Sequence, residues 1–339
     1  MKVLVTGAGG FLGRRIVDSL LRQGADHVRV HVRQAPPAGM IEDLKARYPQ
    51  ATIEVAQANL LSRGALAPLV QGVDCIVHAA AGMKGAAADM FANTVLTSRN
   101  LLEAACEQKV PRIVLISSFS VYEAARLKKG DVLSEATTPI EAVGVDRGAY
   151  GYAKTRQEHM FNEFQREHGF ESVILRPGVI YGPGGGALSS RVGIRALGFF
   201  FALGGGALLP LTYVENCADA VARAALNAPA GSAFSVVDDD LPSCRTYLKR
   251  YCREVEPMRC IPVPFWAFRL GAKVLVWYHK RSKGQLPAVF TPYVVDSMYR
   301  PLRYSNAALK AIGWTQRVST ENGIKQSFQY WKEQLRSKK

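Results

Sequence analysis

The chain has 339 residues, of which 48% are hydrophobic and 21% are charged. This size and composition suffice to bury the core of one large α/β domain and of a smaller second one. The six cysteines form no C-x-x-C pair and the six histidines show no ligand spacing. We therefore expect neither a disulfide framework nor a metal site.

The formal net charge of +15 is concentrated towards the C-terminus. Residues 245–339 contain 19 Lys and Arg against 5 Asp and Glu, whereas residues 1–244 contain 24 against 23. One interpretation is a solvated basic face, and the other is contact with a phosphorylated substrate or an acidic membrane surface. No nucleic-acid reader motif accompanies the charge, so we do not expect a nucleic-acid partner.

A glycine loop follows the first apolar run and opens an amphipathic run. Its sequence is Thr6-Gly7-Ala8-Gly9-Gly10-Phe11-Leu12-Gly13. Gly7 lets the chain turn, Gly10 leaves room for a pyrophosphate, and Gly13 lets the helix pack on the sheet. The helix N-terminus, with Phe11 and Leu12, would offer free N–H groups to the phosphates. A plain structural turn is the alternative, since glycine spacing alone is weak evidence.

Short apolar runs alternate with longer amphipathic ones through the first half of the chain. The expected strands are Lys2–Thr6, Val28–Val32, Thr52–Ala56, Cys75–His78, Arg112–Ser117 and Ser172–Leu175. The expected helices are Arg14–Gln23, Met90–Glu107 and Tyr150–Glu167. This alternation predicts a doubly wound parallel sheet of the Rossmann type, with a ligand crevice at the carboxyl ends of the strands.

The alternation fades after Pro177. We expect a loop over 182–186, a helix over Val192–Leu203, and a strand and helix over Tyr213–Asn227 that return to the first domain. The predicted division is a dinucleotide-binding domain at 1–182 with 212–235, and a smaller substrate-binding domain at 183–211 and 236–310. A C-terminal helix and basic tail would occupy 311–339.

Arg33 follows the second strand, where an acidic residue would favour NAD. An arginine offers its guanidinium to a 2′-phosphate instead and so favours NADP, with NAD as the alternative. Arg14 and Arg15 are expected to reinforce this preference. The competing interpretation of Arg33 is a solvent-exposed loop arginine.

Tyr150 and Lys154 are four residues apart and therefore share one helix face. A lysine ammonium one turn away would lower the tyrosine pKa, so that Tyr150 passes a proton to or from a substrate oxygen. Ser118, after the fifth strand, would hydrogen-bond that oxygen, and Ser120 is the second candidate. A chance Tyr-x-x-x-Lys pair on a surface helix is the alternative.

The chain resembles the extended short-chain dehydrogenases/reductases, the NAD(P)-dependent epimerase/dehydratase group. Besides the glycine loop and Ser118, Tyr150 and Lys154, the resemblance rests on these motifs: Asp74-x-x-x-His78-x-Ala80-Ala81, Asn93 and Asn100, Arg176-Pro177-x-x-x-Tyr181-Gly182-Pro183, Tyr213-Val214-Glu215-Asn216 and Ile312-Gly313-Trp314.

The resemblance implies specific roles. Tyr150 would be the general acid/base, Lys154 would bind the nicotinamide ribose, and Ser118 would polarise the substrate oxygen. Asn59 and Leu60 would lie by the adenine. Ala79, Ala80 and Ala81, with Pro177 and Val179, would line the pyrophosphate and nicotinamide. Homodimers through helices such as Met90–Glu107 and Tyr150–Glu167 are common in the family.

Three departures narrow the reaction. Phe119 and Ser120 stand where sugar dehydratases carry an acidic pair, so dehydration is not expected. The segment 207–212 lacks the arginine with which nucleotide-sugar enzymes grip a pyrophosphate. Tyr213–Asn216 is closer to the 3-beta-hydroxysteroid and sterol dehydrogenase branch, which implies an apolar substrate pocket.

We therefore predict an NADP(H)-preferring oxidoreductase that interconverts a ketone and a secondary alcohol on a hydrophobic or amphipathic substrate, with reduction favoured. A nucleotide-sugar epimerase or ketoreductase is the alternative enzyme. A silent dinucleotide sensor or scaffold is the alternative outside catalysis.

Residues 265–279 form a predicted helix with few charges, followed by Lys280, Arg281 and Lys283. It is too short and too charged to span a bilayer. One interpretation is peripheral contact of 265–283 with the inner membrane face. The other is a helix buried against the substrate pocket or a partner subunit. The glycine loop begins six residues from Met1, so we expect no signal peptide and a cytoplasmic protein.

Overall fold

The computed structural model describes residues 1–83, 85–137, 148–282 and 290–337. Seven parallel strands form the central sheet: β1 (Lys2–Thr6), β2 (His27–Val32), β3 (Thr52–Gln57), β4 (Cys75–His78), β5 (Arg112–Ile116), β7 (Glu171–Pro177) and β12 (Ser232–Val236). Their order is β12-β7-β5-β4-β1-β2-β3, so the strand order reverses between β4 and β1. Ligands of such sheets bind at this reversal. The predicted doubly wound fold is confirmed.

Helices cover both faces of this sheet: α1 (Gly13–Arg22), α2 (Met40–Arg47), α3 (Leu66–Val70), α4 (Ala87–Phe91), α5 (Thr97–Glu107), α6 (Ala149–His168) and α7 (Val214–Asn227). Because side chains alternate along a strand, Val3 and Val5 of β1 enter one core cluster, with α1 and α7. Leu4 enters the other, with α3, α5 and α6. Strands buried on both faces explain the nearly continuous apolar runs in the sequence.

The remaining elements lie outside the central sheet: β6 (Val132–Leu133), β8 (Val179–Tyr181), β9 (Gly193–Ala196), β10 (Phe199–Ala202), β11 (Leu211–Tyr213), α8 (Cys244–Glu254), β13 (Cys260–Pro262), α9 (Phe265–Arg281), α10 (Pro292–Tyr299), β14 (Arg303–Tyr304), α11 (Ala307–Ala311) and α12 (Thr320–Arg336). β13, β10 and β9 form a small sheet, while β11 pairs with β8 and β14 pairs with β6.

The helix predicted over Val192–Leu203 is wrong, because this segment is the hairpin of β9 and β10. Leu197 and Gly198 form its turn with φ angles of 52° and 78°, as a tight hairpin requires. Gly193 pairs so closely that a methyl group there would lie 2.1 Å from the carbonyl oxygen of Phe201. Three consecutive phenylalanines in β10 suit a strand better than a helix.

Two other predictions need adjustment. The helix expected over Met90–Glu107 begins at Ala87 and contains a π-helical turn over Ala92–Leu96. The predicted strand and helix over Tyr213–Asn227 are present as β11 and α7, and β11 begins at Leu211. The domain division remains our interpretation, and Lys283, Lys338 and Lys339 of the predicted basic segments lie outside the described residues.

Candidate active site

The predicted site residues follow the carboxyl ends of five neighbouring strands. Gly7 follows β1, Arg33 follows β2, Asn59 lies two residues after β3, Ala79 follows β4, and Ser118 lies two residues after β5. The strands are parallel, so their carboxyl ends meet at one edge of the sheet. The structure therefore brings these residues to a single crevice, where the strand order reverses.

The glycine loop has no room for side chains. Gly7 adopts a φ of 68°, and a methyl group on it would lie 3.0 Å from the backbone of Ala80. A methyl group on Gly13 would lie 2.1 Å from the carbonyl oxygen of Gly7. Helix α1 begins at Gly13, and Leu12 in its N-cap position provides no side-chain cap. The N–H groups of Leu12 and Gly13 fit a phosphate, since those of Arg14 and Arg15 already donate to backbone carbonyl oxygens, and the loop fits a bound dinucleotide.

The end of β7 carries two further predicted residues, Pro177 and Val179, and the Phe11 ring packs on the loop that follows β8. Pro177 is buried at the end of β7, and Val179 opens β8. A methyl group on Gly178 between them would lie 2.3 Å from the Pro210 carbonyl oxygen. The ring of Phe11 lies close to Gly185, where a methyl group would lie 2.7 Å from it. Phe11 therefore packs on the glycine-rich loop over 182–186.

The far end of the crevice carries Arg33, which is exposed. Next to it, buried His31 accepts the Gly7 N–H at Nδ1 (3.4 Å), and its Nε2 lies 3.0 Å from the Ala58 carbonyl oxygen. Burial lowers the pKa of His31, which keeps the ring neutral. His31 therefore contributes a hydrogen-bond acceptor to the glycine loop and no charge.

Asn59 and Leu60, which are expected near the adenine, differ in their exposure, and Arg15, which was expected to reinforce Arg33, has other partners. Asn59 is exposed and its Oδ1 accepts the Leu61 N–H at 3.1 Å, whereas Leu60 is buried. Arg15 donates to the carbonyl oxygens of Phe11 and Pro183, each at 2.7 Å. Its guanidinium is thus committed to backbone acceptors and does not reinforce Arg33.

Ser118, Tyr150 and Lys154 lie together where β5 ends. Ser118 is buried, and its Oγ accepts the Ser120 N–H at 3.2 Å. Tyr150, in the first turn of α6, forms a hydrogen bond with Ser118. One turn further, buried Lys154 donates from Nζ to the Ile116 carbonyl oxygen at 2.8 Å and to Gln157 Oε1 at 2.9 Å. The helix spacing thus places both side chains against the end of one strand.

The expected effect of Lys154 on Tyr150 differs from the structure. Burial raises the pKa of Tyr150, and the Ser118 hydrogen bond is the interaction that opposes this rise. Burial also lowers the pKa of Lys154 to about 8, and the Glu158 carboxylate acts against that shift. The prediction of a lowered tyrosine pKa overlooked the desolvation of both side chains. Tyr150 therefore carries its proton at neutral pH.

Ser120 has an unsatisfied hydroxyl beside this group. Its Oγ is buried and has no hydrogen-bond partner within the described part of the chain. Between the two serines, the Phe119 ring stacks on Tyr304, with 5.7 Å between ring centroids. Buried polar atoms are nearly always paired, so the free Ser120 hydroxyl suits a ligand oxygen.

A buried polar chain behind Lys154 was not predicted. Gln157 Nε2 donates to Ser98 Oγ at 2.6 Å, and Ser98 Oγ lies 2.7 Å from His78 Nε2. His78 Nδ1 in turn lies 2.8 Å from Thr6 Oγ1. The chain thus connects Lys154 with Thr6 at the start of the glycine loop. His78 and Ser98 stand in predicted elements, but local spacing says nothing about their pairing.

A buried ion pair supports the same helix. Glu158 lies one turn beyond Lys154 and pairs with Arg176, and Ser117 donates to the same carboxylate. The Arg176 guanidinium lies 4.8 Å from the centroid of the Tyr122 ring. Sequence analysis did not name Glu158, although it follows Lys154 by the same four residues that separate Tyr150 and Lys154, and this spacing could have placed it on the same helix face.

A glycine loop at a strand–helix junction, with a tyrosine, a lysine and a serine at the same edge, defines a dinucleotide-binding oxidoreductase of the α/β class. The sequence matches the model of the NAD dependent epimerase/dehydratase family over residues 3–236. The chain belongs to this family, the extended short-chain dehydrogenases/reductases, and is an NAD(P)-dependent enzyme.

Full-length relatives include two reductases. The 2-alkyl-3-oxoalkanoate reductase of Stenotrophomonas maltophilia is 27% identical over 96% of this chain and 98% of its own. The 4-hydroxy-2-methyl-3-oxo-4-farnesyl-3,4-dihydroquinoline-1-oxide ketoreductase of Stigmatella aurantiaca is 24% identical over 96% and 95%.

Among solved structures, UDP-glucuronic acid 4-epimerase from Bacillus cereus, in complex with NAD, superposes with a TM-score of 0.70. It is 19% identical and covers 99% of this chain and 98% of its own. This likeness concerns the fold alone. Within the residues that the structure describes, no group of three or more His, Cys, Asp or Glu side chains is arranged to hold a metal ion.

Proposed function

We propose that the enzyme reduces a ketone to a secondary alcohol on a hydrophobic or amphipathic substrate, with NADPH preferred over NADH. The observation that carries the proposal is the pair of Tyr150 and Ser118 at the end of β5. A raised pKa keeps the proton on Tyr150 at neutral pH, and Ser118 is already within hydrogen-bond contact. A protonated phenol beside a hydroxyl donor is suited to give a proton to a carbonyl oxygen.

A nicotinamide dinucleotide held at the glycine loop would supply the hydride for the carbonyl carbon. Ser118 donates a hydrogen bond to the carbonyl oxygen and orients it towards Tyr150. As negative charge develops on that oxygen, the Tyr150 hydroxyl transfers its proton there, which completes the alcohol. We expect Lys154, which Ile116 and Gln157 hold one helix turn from Tyr150, to bind the nicotinamide ribose.

The preference for NADPH rests on Arg33. Its exposed guanidinium follows β2, where the ribose of a bound dinucleotide lies in this fold. Asn59, which the resemblance places by the adenine where the family usually has an aspartate, carries no charge and so does not oppose a 2′-phosphate. Arginine binds phosphate with two parallel N–H groups, which favours NADP.

The substrate class rests on the apolar surroundings of Ser118. Phe119 and Tyr304 pack with buried Leu133 and Leu302 into one cluster. The name of the Stenotrophomonas relative, a 2-alkyl-3-oxoalkanoate reductase, describes a ketone with alkyl substituents, and its similarity extends along the whole chain. The closeness to the hydroxysteroid and sterol dehydrogenase branch stays a prediction.

A cytoplasmic homodimer completes the proposal. Helices α5 and α6 pack side by side, and the π-helical turn before α5 leaves Leu96 exposed. Such a face suits the two-helix dimer contact that the resemblance implies. The membrane contact expected for residues 265–283 is argued separately below.

Fluorescence titration with NADPH and NADH tests the cofactor preference. We expect NADPH to bind at least about tenfold more tightly, and Arg33→Asp to abolish the difference. Arg253→Asp, which makes the same change of charge at an exposed arginine of α8, is the matched control and should keep the preference. Equal binding of both cofactors by the parent protein, or NAD⁺ that copurifies with it, would overturn the proposal in favour of an epimerase.

Tyr150→Phe tests the chemistry with an alkyl-substituted 3-oxo acid as substrate. The variant should bind NADPH as the parent does and lose activity by about 10²-fold or more, since it lacks the proton donor. A variant with parental activity would remove Tyr150 from the mechanism and support the sensor or scaffold interpretation.

A further inference from the structure

One helix of the C-terminal part displays an unusual outer face. Five large side chains on α9 are exposed to solvent: Trp266, Leu270, Val274 and Trp277, which are spaced three or four residues apart, and Tyr278 next to Trp277. Trp266 is 71% exposed and Trp277 is 62% exposed. This spacing places all five along one stripe of the helix, which we call the α9 stripe. Contiguous exposed apolar side chains of this kind mark an interaction surface.

The opposite face of α9 is fixed to the protein. Ala272 is buried, and the Phe268 ring packs edge-on against Phe290 and Tyr299, each with 5.1 Å between ring centroids. Arg269 Nε forms an ion pair with Asp296 of α10 at 3.0 Å. These contacts hold the helix in one rotation about its axis, so the α9 stripe faces outward as part of the fold.

The charge around the α9 stripe has one sign. Between Glu256 and Asp296 the sequence contains six Lys and Arg and no acidic residue. Lys273 is exposed next to Val274, and Arg281 is exposed at the C-terminal end of α9. The apolar stripe is thus bordered by positive charge, which complements an anionic surface.

We propose that the α9 stripe binds the interface of a bilayer that contains anionic lipids, with α9 parallel to the membrane plane. Tryptophan and tyrosine are the side chains that favour the headgroup level of a bilayer. A helix of 17 residues is about 25 Å long. Among the described residues, none of the helices is long and apolar enough to span a membrane. Contact along the side of the helix is the mode that remains for this stripe.

A second copy of the chain fits the α9 stripe less well. A two-fold contact would place the α9 stripe of one protomer against the α9 stripe of its partner, because such interfaces are self-complementary. Lys273 and Arg281 would then approach the same basic residues of the partner, and α9 offers no carboxylate to neutralise them. An anionic lipid surface offers apolar contact to the α9 stripe and negative charge to the basic residues that border it.

Sedimentation with vesicles tests the proposal on the full chain. We expect binding to vesicles of one part phosphatidylglycerol to two parts phosphatidylcholine, weaker binding to pure phosphatidylcholine, and loss of affinity in high salt. The double variant Trp266→Ser/Trp277→Ser should bind the mixed vesicles at least about tenfold more weakly. Lys273→Glu should weaken binding to mixed vesicles and leave binding to pure phosphatidylcholine unchanged.

Val55→Thr, which makes an exposed apolar side chain of β3 polar, is the control and should bind vesicles as the parent does. NADPH titration of each variant reports an intact fold independently of lipid. Two results would overturn the proposal: no binding of the parent to mixed vesicles, or parental binding by the double variant. A parent dimer that the double variant converts to monomers would instead identify the stripe as an interface between copies.

Discussion

His78 makes the stability of this protein sensitive to mild acid. Its ring is 3% exposed, with Thr6 Oγ1 at 2.8 Å and Ser98 Oγ at 2.7 Å from its two nitrogens. Burial, together with the positive charge of Lys154, lowers the pKa of His78 from 6.5 to about 3. The histidine is therefore neutral in the folded protein throughout the range in which an unfolded chain takes up a proton.

The sign and the size of the effect follow from this difference. Below pH 6.5 the unfolded chain binds a proton that the folded chain does not, so the free energy of unfolding falls as the pH falls. Each pH unit is worth about 1.4 kcal/mol, which gives about 2 kcal/mol at pH 5 and about 5 kcal/mol near pH 3. The loss at pH 5 is a large fraction of an ordinary domain's stability.

His78→Asn isolates this contribution, because asparagine keeps polar atoms at the site and does not titrate. We expect the variant to be less stable than the parent at pH 7, and the gap between them to shrink by about 2 kcal/mol at pH 5. Urea unfolding followed by circular dichroism at pH 7, 6 and 5 measures the gap. His168→Asn, at the exposed end of α6, controls for loss of a histidine.

Other groups titrate in the same range, so only the difference between parent and variant is informative. Burial raises the pKa of the Asp238 carboxyl to about 6, which makes the folded state gain a proton first and has the opposite sign. This contribution is common to both proteins and cancels. A gap that stays constant from pH 7 to pH 5 would refute the argument that His78 is held neutral.

Two further predictions concern close contacts. Gly13→Ala should destabilise the fold and abolish NADPH binding, since its methyl group would lie 2.1 Å from the Gly7 carbonyl oxygen. Thermal unfolding measures the first effect and cofactor titration the second. A stable variant that binds NADPH normally would contradict the prediction. Cys252 and Cys260, with 3.7 Å between their sulfur atoms, should form a disulfide on treatment with diamide. Mass spectrometry of the peptides detects it, Cys252→Ser should prevent it, and two thiols that persist in the parent would contradict it.

The sequence was most informative about the sheet and its edge. Strands β1 and β4 have the predicted bounds, because an apolar run covered by helices on both faces has sharp ends. Parallel strands also align their carboxyl ends, so a residue placed just after a strand is placed at the crevice. Gly7, Arg33 and Ser118 could be located in this way without knowledge of any side-chain contact.

Contacts between distant segments were beyond the sequence. Ser98 and Gln157 are 59 residues apart and Arg176 reaches Glu158 across the end of the sheet, and no local pattern indicates such pairs. The hairpin of β9 and β10 was missed for a related reason. Its apolar residues and glycines fit a helical period as well as a strand, and pairing with β13 decides the matter.

The pKa directions in the site argue for one direction of reaction. Oxidation of an alcohol needs a tyrosinate that accepts a proton, and burial of Tyr150 makes that form costly. Reduction needs a phenol that donates one, and this is the form present at neutral pH. Lys154, with a pKa of about 8, keeps its charge in the same range and loses it in the alkaline range where a tyrosinate would form. Under the mechanism that we propose, burial thus keeps at neutral pH the protonated phenol that the reductive reaction needs.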